Sequence, residues 1–226
     1  MKQGDLLPYF SLPLTGATMS KFLIPLPDFN RIHQVAHGVI KDFGTVEKAC
    51  TFFSIFGAYV LSQKYGIEAR PIAGGFSLCV AEDRCLIYGR EEHGEYVVDS
   101  DGFHMWVQTP THIIDFTAPI YPEAFAQASP DITLPRKMLQ KQITEERSNL
   151  NDVVTIGDFV TYPDPALTNE LIGRFMKRPA NSDLIQIADH WFGNRRAKQA
   201  VTSQMFNDLG EVTTLNLPKI SANGAW

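Results

Sequence analysis

The chain is poor in the features that mark several large classes of protein. It holds three cysteines in 226 residues, Cys50, Cys79 and Cys85. So sparse and odd a set makes no disulfide framework and fits a reducing compartment in which thiols stay free. No apolar run approaches the roughly 18 residues that a membrane span needs, so no membrane partner is expected. Lys2 is followed by Gly4, Asp5, Pro8 and Pro13, which interrupt any apolar stretch. The sequence therefore predicts no secretory leader and a cytoplasmic location. There is no basic stripe and the net charge is -5, which argues against nucleic acid as a partner because phosphate binding needs a basic face. Arg195-Arg196 is a short solvated pair at an expected helix end. Neither Cys-x-x-Cys nor His-Glu-x-x-His spacing occurs, so a zinc site built from His104, His112 and the cysteines has no support. Gly74-Gly75 lacks the lysine and serine of a phosphate loop and reads as a bend between strands.

What is present suits one globular domain spanning 1-226, with 44% apolar and 20% charged residues. Residues 1-26, rich in Pro and Leu, read as an extended arm. Asp28 is placed as the N-cap of a helix running to about Asp42, with Phe29, Ile32, Val35, Ala36, Ile40 and Phe43 at helical spacing and Gly44 as its stop. The next helix is predicted from Cys50 to Tyr65, ended by Gly66. Its first turns are apolar on nearly every side, which predicts central burial. Short runs follow at Ile67 to Ala73, Phe76 to Ala81, Cys85 to Tyr88, Tyr96 to Val98, Phe103 to Gln108 and His112 to Thr117. They read as a largely antiparallel sheet of about five strands. Helical patterns return over Pro135 to Arg147, Ala166 to Phe175 and Ser182 to Lys198, with Trp191-Phe192 anchoring the last. Helices grouped before and after strands predict an α+β layer architecture.

Three residues carry chemistry. Cys50 opens the buried helix, where the partial positive charge of a helix N-terminus favours an anion by about 0.3 to 1 kcal/mol. A protonated imidazole in contact favours a thiolate far more strongly, and His104 is the candidate to supply it. Cys79 and Cys85 read as small core residues within strands. Asp115 is unusual, an aspartate between Ile113-Ile114 and Phe116 in a strand that disfavours it, and a buried charge there needs a partner. If the two strands form a hairpin around Pro110-Thr111 with an even loop, Thr109 lies opposite His112 and His104 opposite Thr117. His104 and Asp115 then share a face as diagonal neighbours, about 7 to 8 Å apart at the backbone. A three-residue loop would separate them onto opposite faces. Asp99 and Asp101 are the fallback partners for His104. Trp106 and Phe116 read as core residues that could also wall an acyl pocket.

These stretches resemble the papain-like cysteine hydrolase superfamily, most closely its transglutaminase-like and arylamine N-acetyltransferase-like branch. The resemblance rests on Ala49-Cys50, then Gly66-Ile67-Glu68-Ala69-Arg70 leading into a strand, then His104-Met105-Trp106-Val107, then Ile114-Asp115-Phe116-Thr117. It covers about residues 45-120, with a helical region expected over 135-200. A group of bacterial proteins within the superfamily is also similar, which leaves the substrate open. The resemblance implies a papain-like α+β fold, with a central Cys-bearing helix packed on an antiparallel sheet that carries His and Asp, and additional C-terminal helices. It implies Cys50 as nucleophile, His104 as general base and then acid, and Asp115 as the residue orienting His104. The expected activity is acyl transfer from a small-molecule or peptide amide, ester or thioester through a thioester acyl-enzyme, with no cofactor. The backbone N–H of Cys50 is the assigned oxyanion donor, and Gln34 is too distant in sequence to join it. A catalytically silent scaffold binding a peptide or protein partner is the competing expectation.

Overall fold

The computed structural model describes residues 21–41, 49–128 and 133–226. Most of the expected arm over residues 1-26 lies outside them, as do Gly44 and the Glu47-Lys48 pair before Cys50. Helix α1 (Leu26–Ile40) starts earlier than the sequence predicts: Pro25 is its N-cap, and Asp28 sits in the first turn. Pro27 is tolerated there because a first-turn N–H has no intrahelical partner. Phe29, Ile32, Val35, Ala36 and Val39 are buried along one face. Helix α2 (Cys50–Tyr65) ends at Gly66, whose φ of 66° is the left-handed stop that glycine provides without a Cβ penalty. It packs against α1 on one side and against two strands on the other, which is why its sequence is apolar nearly all round.

The strands are β1 (Arg70–Ala81), β2 (Arg84–Tyr88), β3 (Arg90–Glu92), β4 (Glu95–Val97), β5 (His104–Gln108) and β6 (His112–Asp115). After the short helix α3 (Tyr121–Ala128) come β7 (Leu139–Gln142) and β8 (Phe159–Pro163), then α4 (Pro165–Met176) and α5 (Pro179–Phe192). A hairpin of β9 (Thr202–Phe206) and β10 (Val212–Asn216) stands apart from the main sheet. That sheet is antiparallel and six-stranded, in the order β2-β1-β5-β6-β7 with β8 on β1. The fold is thus mixed α+β, a curled antiparallel sheet with helices packed on it.

Three further expectations are corrected. Gly74-Gly75 is no bend, because β1 runs unbroken through both. A Cβ on Gly74 would run into the Tyr162 carbonyl of β8, so glycine here permits a close approach of backbones. The segment from Pro135 to Arg147 is not a helix. Residues 139-142 pair with β6, and the Gln140 amide bonds the backbone of Leu23 and Ile24. An open sheet edge and a buried side-chain clasp outweigh the weak intrinsic preference for helix. The last long helix stops at Phe192 rather than Lys198, where Gly193 turns the chain, while Trp191 and Phe192 are buried as expected.

The pairing of β1 decides where the site forms. Gly74 pairs with Pro163 and Phe76 with Thr161 on one edge. On the other edge Gly74 pairs with His104 and Phe76 with Tyr88. Strands β5 and β2 therefore follow one another along that second edge, and the β3-β4 excursion leaves and returns between them. Side-chain alternation sends Val107 and Ile114 into the core under α1, α2 and α5, and Trp106 and Ile113 into the opposite core with Phe76 and Phe159. Among the described residues no helix is long and apolar enough to cross a membrane.

Candidate functional site

Cys50 is the first residue of α2. Its N-cap, Ala49, offers no side-chain cap and the first turn holds no acidic residue, so the N-terminal N–H groups keep their pull on an anion. The thiol is nearly enclosed, at 6% exposure, against Ala73, Met105, Leu167 and Leu171, with Val98, Phe103 and Ile172 partly buried beside them. Ala73 and Met105 face each other across β1 and β5, and the next pair is Gly74 with His104. The helix start is thereby brought to the end of the strand that carries the imidazole.

The hairpin has the even loop that the sequence argument required. Val107 pairs with Ile114 and Gln108 with Ile113, and Thr109 N–H donates to the His112 carbonyl at 2.9 Å around Pro110-Thr111. The same register sets His104 opposite Thr117 and on the face of Asp115. His104 Nε2 donates to Asp115 Oδ2 at 2.6 Å, with both side chains sealed from solvent. Cys50 lies close enough to the same imidazole to add to the rise of its pKa; with Nε2 engaged by Asp115, Nδ1 is the ring nitrogen left to meet a thiol.

Four hydrogen bonds hold the Asp115 carboxylate. Besides His104, Oδ1 accepts from Thr117 N–H at 2.8 Å and from Thr117 Oγ1 at 2.6 Å, and Oδ2 accepts from the Tyr121 hydroxyl. The chain returns through a 3₁₀ turn at Ala118–Ile120 to bring Tyr121 back onto the strand it has just left. Burial works against the Asp115 charge, but His104, Thr117 and Tyr121 outweigh it and lower its pKa. Burial likewise opposes the imidazolium of His104, yet the Asp115 carboxylate and the Cys50 contact raise that pKa to about 10. Tyr88 stacks on the His104 ring, with centroids 4.1 Å apart and planes 17° apart. Burial, Asp115 and Cys50 hold the Tyr88 phenol well above its ordinary value, so it stays protonated.

Cys50, His104 and Asp115 are thus contiguous. The fallback partners are not in contact with them: Asp99 is bound by Arg90 at 2.7 Å and accepts from Asp101 and Gly102 N–H groups at the surface. Gln34 donates to the Pro218 carbonyl at 3.0 Å and is spent there. Trp106 and Phe116 are core residues, Phe116 stacked on Phe29. Sequence reasoning missed Tyr88, Thr117, Tyr121 and the apolar wall supplied by α4. Asp115 followed two residues later by Thr117 is a pattern in which aspartate accepts from nearby backbone, and that signal was present. Nothing local marks Tyr88 or α4, which arrive by sheet pairing and helix docking. Among the described residues no group of three His, Cys, Asp or Glu side chains could hold a metal ion.

Residues 25–226 match the family described as Protein of unknown function (DUF2026), and the chain belongs to that family. It is similar to a solved structure described as "The crystal structure of genomics APC5867", with a TM-score of 0.80 and 26% sequence identity, over 93% of this chain and 100% of that one. No curated protein matches the chain.

Proposed function

We propose that this DUF2026 member is a cysteine-dependent acyl-transfer enzyme with a papain-like arrangement of the transglutaminase-like and arylamine N-acetyltransferase-like kind. The observation that carries the reading is the buried His104–Asp115 pair, its carboxylate held by four donors, beside the thiol that opens α2. A tyrosine and a threonine committed to one buried carboxylate are more than packing requires. They fix its orientation, which fixes the imidazole in turn.

In this reading His104 holds a proton at neutral pH and presents a cation to Cys50, which reacts as the thiolate. The sulfur attacks the carbonyl carbon of an amide, ester or thioester. The developing oxyanion lies toward the Cys50 N–H at the start of α2. Nδ1–H of His104 then gives its proton to the departing amine, alcohol or thiol, leaving a thioester on Cys50. Water or an amine, deprotonated by His104, attacks that thioester and regenerates the thiol. Asp115 stays ionised throughout and holds the Nε2–H tautomer. The apolar wall of Leu167, Leu171, Phe103 and Val98 favours an apolar group next to the carbonyl.

The test is intact-mass and peptide-level mass spectrometry after incubation with p-nitrophenyl acetate and with an acyl thioester. A single acyl group on Cys50, lost in Cys50→Ser and in His104→Ala, is the expected result. Acylation spread over all three cysteines, or none at Cys50, would sink the reading. The enclosure of Cys50 and His104 favours the second reading, a silent scaffold for a peptide or protein partner. That reading requires an inert Cys50 and partner binding that survives both substitutions.

A further inference from the structure

Cys79 and Cys85 lie outside this machinery, and the sheet sets them face to face. They are direct partners across β1 and β2, and both are free thiols. Cys79 spends its own N–H on Asp158 O and its carbonyl on Gly157 N–H, both at 2.9 Å and both toward the β8 edge. It therefore meets Cys85 across a non-hydrogen-bonded position of the antiparallel ladder, the kind in which Cα atoms come within about 4.5 Å. That separation falls inside the range of about 4.4 to 6.8 Å that a disulfide spans. The register shifts just beyond, between Cys79 and Ala81, giving the strand local play next to the pair. Cys79 is buried and Cys85 partly exposed, so one thiol is reachable and the other waits behind it.

We propose that Cys79 and Cys85 are a reversible dithiol site that closes to a cross-strand disulfide by exchange with a low-molecular-weight disulfide. The Cys85 thiolate attacks one sulfur of the small disulfide, forming a mixed disulfide at Cys85 and releasing one small thiolate. Cys79, deprotonated in turn, attacks the Cys85 sulfur and expels the second. Two electrons pass from the two protein thiols to the small disulfide, which becomes two small thiols carrying the two protons. Burial and the neighbouring Cys85 push the Cys79 thiol up to about 11, in keeping with Cys85 as the attacker and Cys79 as the resolver. Closure removes the S–H donors now directed at Val153 O, from Cys85, and at Ala81 O and Val154 O, from Cys79. It also ties down β2, whose far end carries Tyr88 against His104.

The experiment treats the folded full chain with glutathione disulfide and follows it by mass spectrometry without reduction. The expected product has lost two hydrogen atoms, and after trypsin, which cuts at the exposed Arg84, the peptides bearing Cys79 and Cys85 remain joined. Dithiothreitol should restore the starting mass. Cys79→Ala should instead stop at a stable glutathione adduct on Cys85, and Cys50→Ser should behave as the parent chain. A persistent adduct on Cys85 in the parent chain, a bond involving Cys50, or no reaction under conditions that oxidise an unfolded control would each overturn the proposal.

Discussion

His33 on α1 and His104 on β5 are both sealed from solvent, and each makes one close hydrogen bond through a ring nitrogen. His33 Nδ1–H donates to the Phe116 carbonyl at 2.7 Å; His104 donates to the Asp115 carboxylate at 2.6 Å. Their basicities part in opposite directions. Burial drives His33 down to about 3, opposed only in part by the Phe116 carbonyl, with His37 adding to the fall. Burial presses on His104 in the same sense, yet Asp115 and Cys50 carry it up to about 10. His33 also stacks flat on Phe53, 5.5 Å between centroids, as His104 does on Tyr88. Aromatic surroundings are thus common to both, and the charge of the partner is what differs. A buried imidazole beside a neutral carbonyl is a packing element, whereas one beside a pinned carboxylate is a held proton.

The most severe way to break this contrast is Asp115→Ala. Removing one partner of a buried ion pair typically costs about 3 to 5 kcal/mol, and the denaturant midpoint should fall accordingly. A loss below about 1 kcal/mol would mean that the pair carries little charge.

Titration gives the next largest effect. Because the folded-state pKa of His33 lies below its unfolded value of 6.5, its contribution is present above that value and is lost as pH falls toward about 3. His104 is raised, so its contribution is full below 6.5 and disappears as pH climbs toward about 10. Stability measured across that range should decline at both ends, by a few kcal/mol at each. The imidazole proton resonances should show His104 charged at pH 8 and His33 neutral at pH 5. Similar titration midpoints for the two rings would refute the comparison.

Tyr121→Phe removes one donor from the carboxylate. A hydrogen bond to a charged group is worth about 1.5 to 3 kcal/mol, so thermal unfolding should shift by that amount and the His104 midpoint should rise with the freer charge. An unchanged midpoint would show that Tyr121 does not reach the pair. Tyr88→Leu should have the smallest effect, roughly 0.5 to 1.5 kcal/mol of lost ring contact. It should raise the rate at which iodoacetamide reaches Cys50, measured by peptide mass spectrometry. A slower rate would indicate that the ring does more than cover the imidazole.

Much of the fold was legible where pattern and stop signal coincide. The helix Cys50–Tyr65 was readable to its last residue, because an apolar run meets Gly66 and only a residue free to take positive φ ends it there. The hairpin of β5 and β6 was readable as a hairpin but not in register, since only an even loop at Pro110-Thr111 puts His104 and Asp115 on one face; the observed two-residue loop decides it. The region after residue 135 misled. Leu139–Gln142 carries helix-forming residues, but the open edge of β6 and the clasp of Gln140 on Leu23 and Ile24 take it into the sheet.

By itself, then, the sequence determined where the Cys50 helix stops and which residues are candidates for chemistry, and it limited His104 and Asp115 to one face or opposite faces according to loop parity, because helix stops and strand alternation are local and periodic. Only the tertiary structure decided that α2 starts where β5 starts, that Tyr88, Thr117 and Tyr121 close around the pair, and that Cys79 meets Cys85 rather than Cys50. These contacts come from strand pairing across long stretches of chain and from the burial of helix faces. No local pattern encodes them, since each depends on which apolar surface is left for the next element to cover.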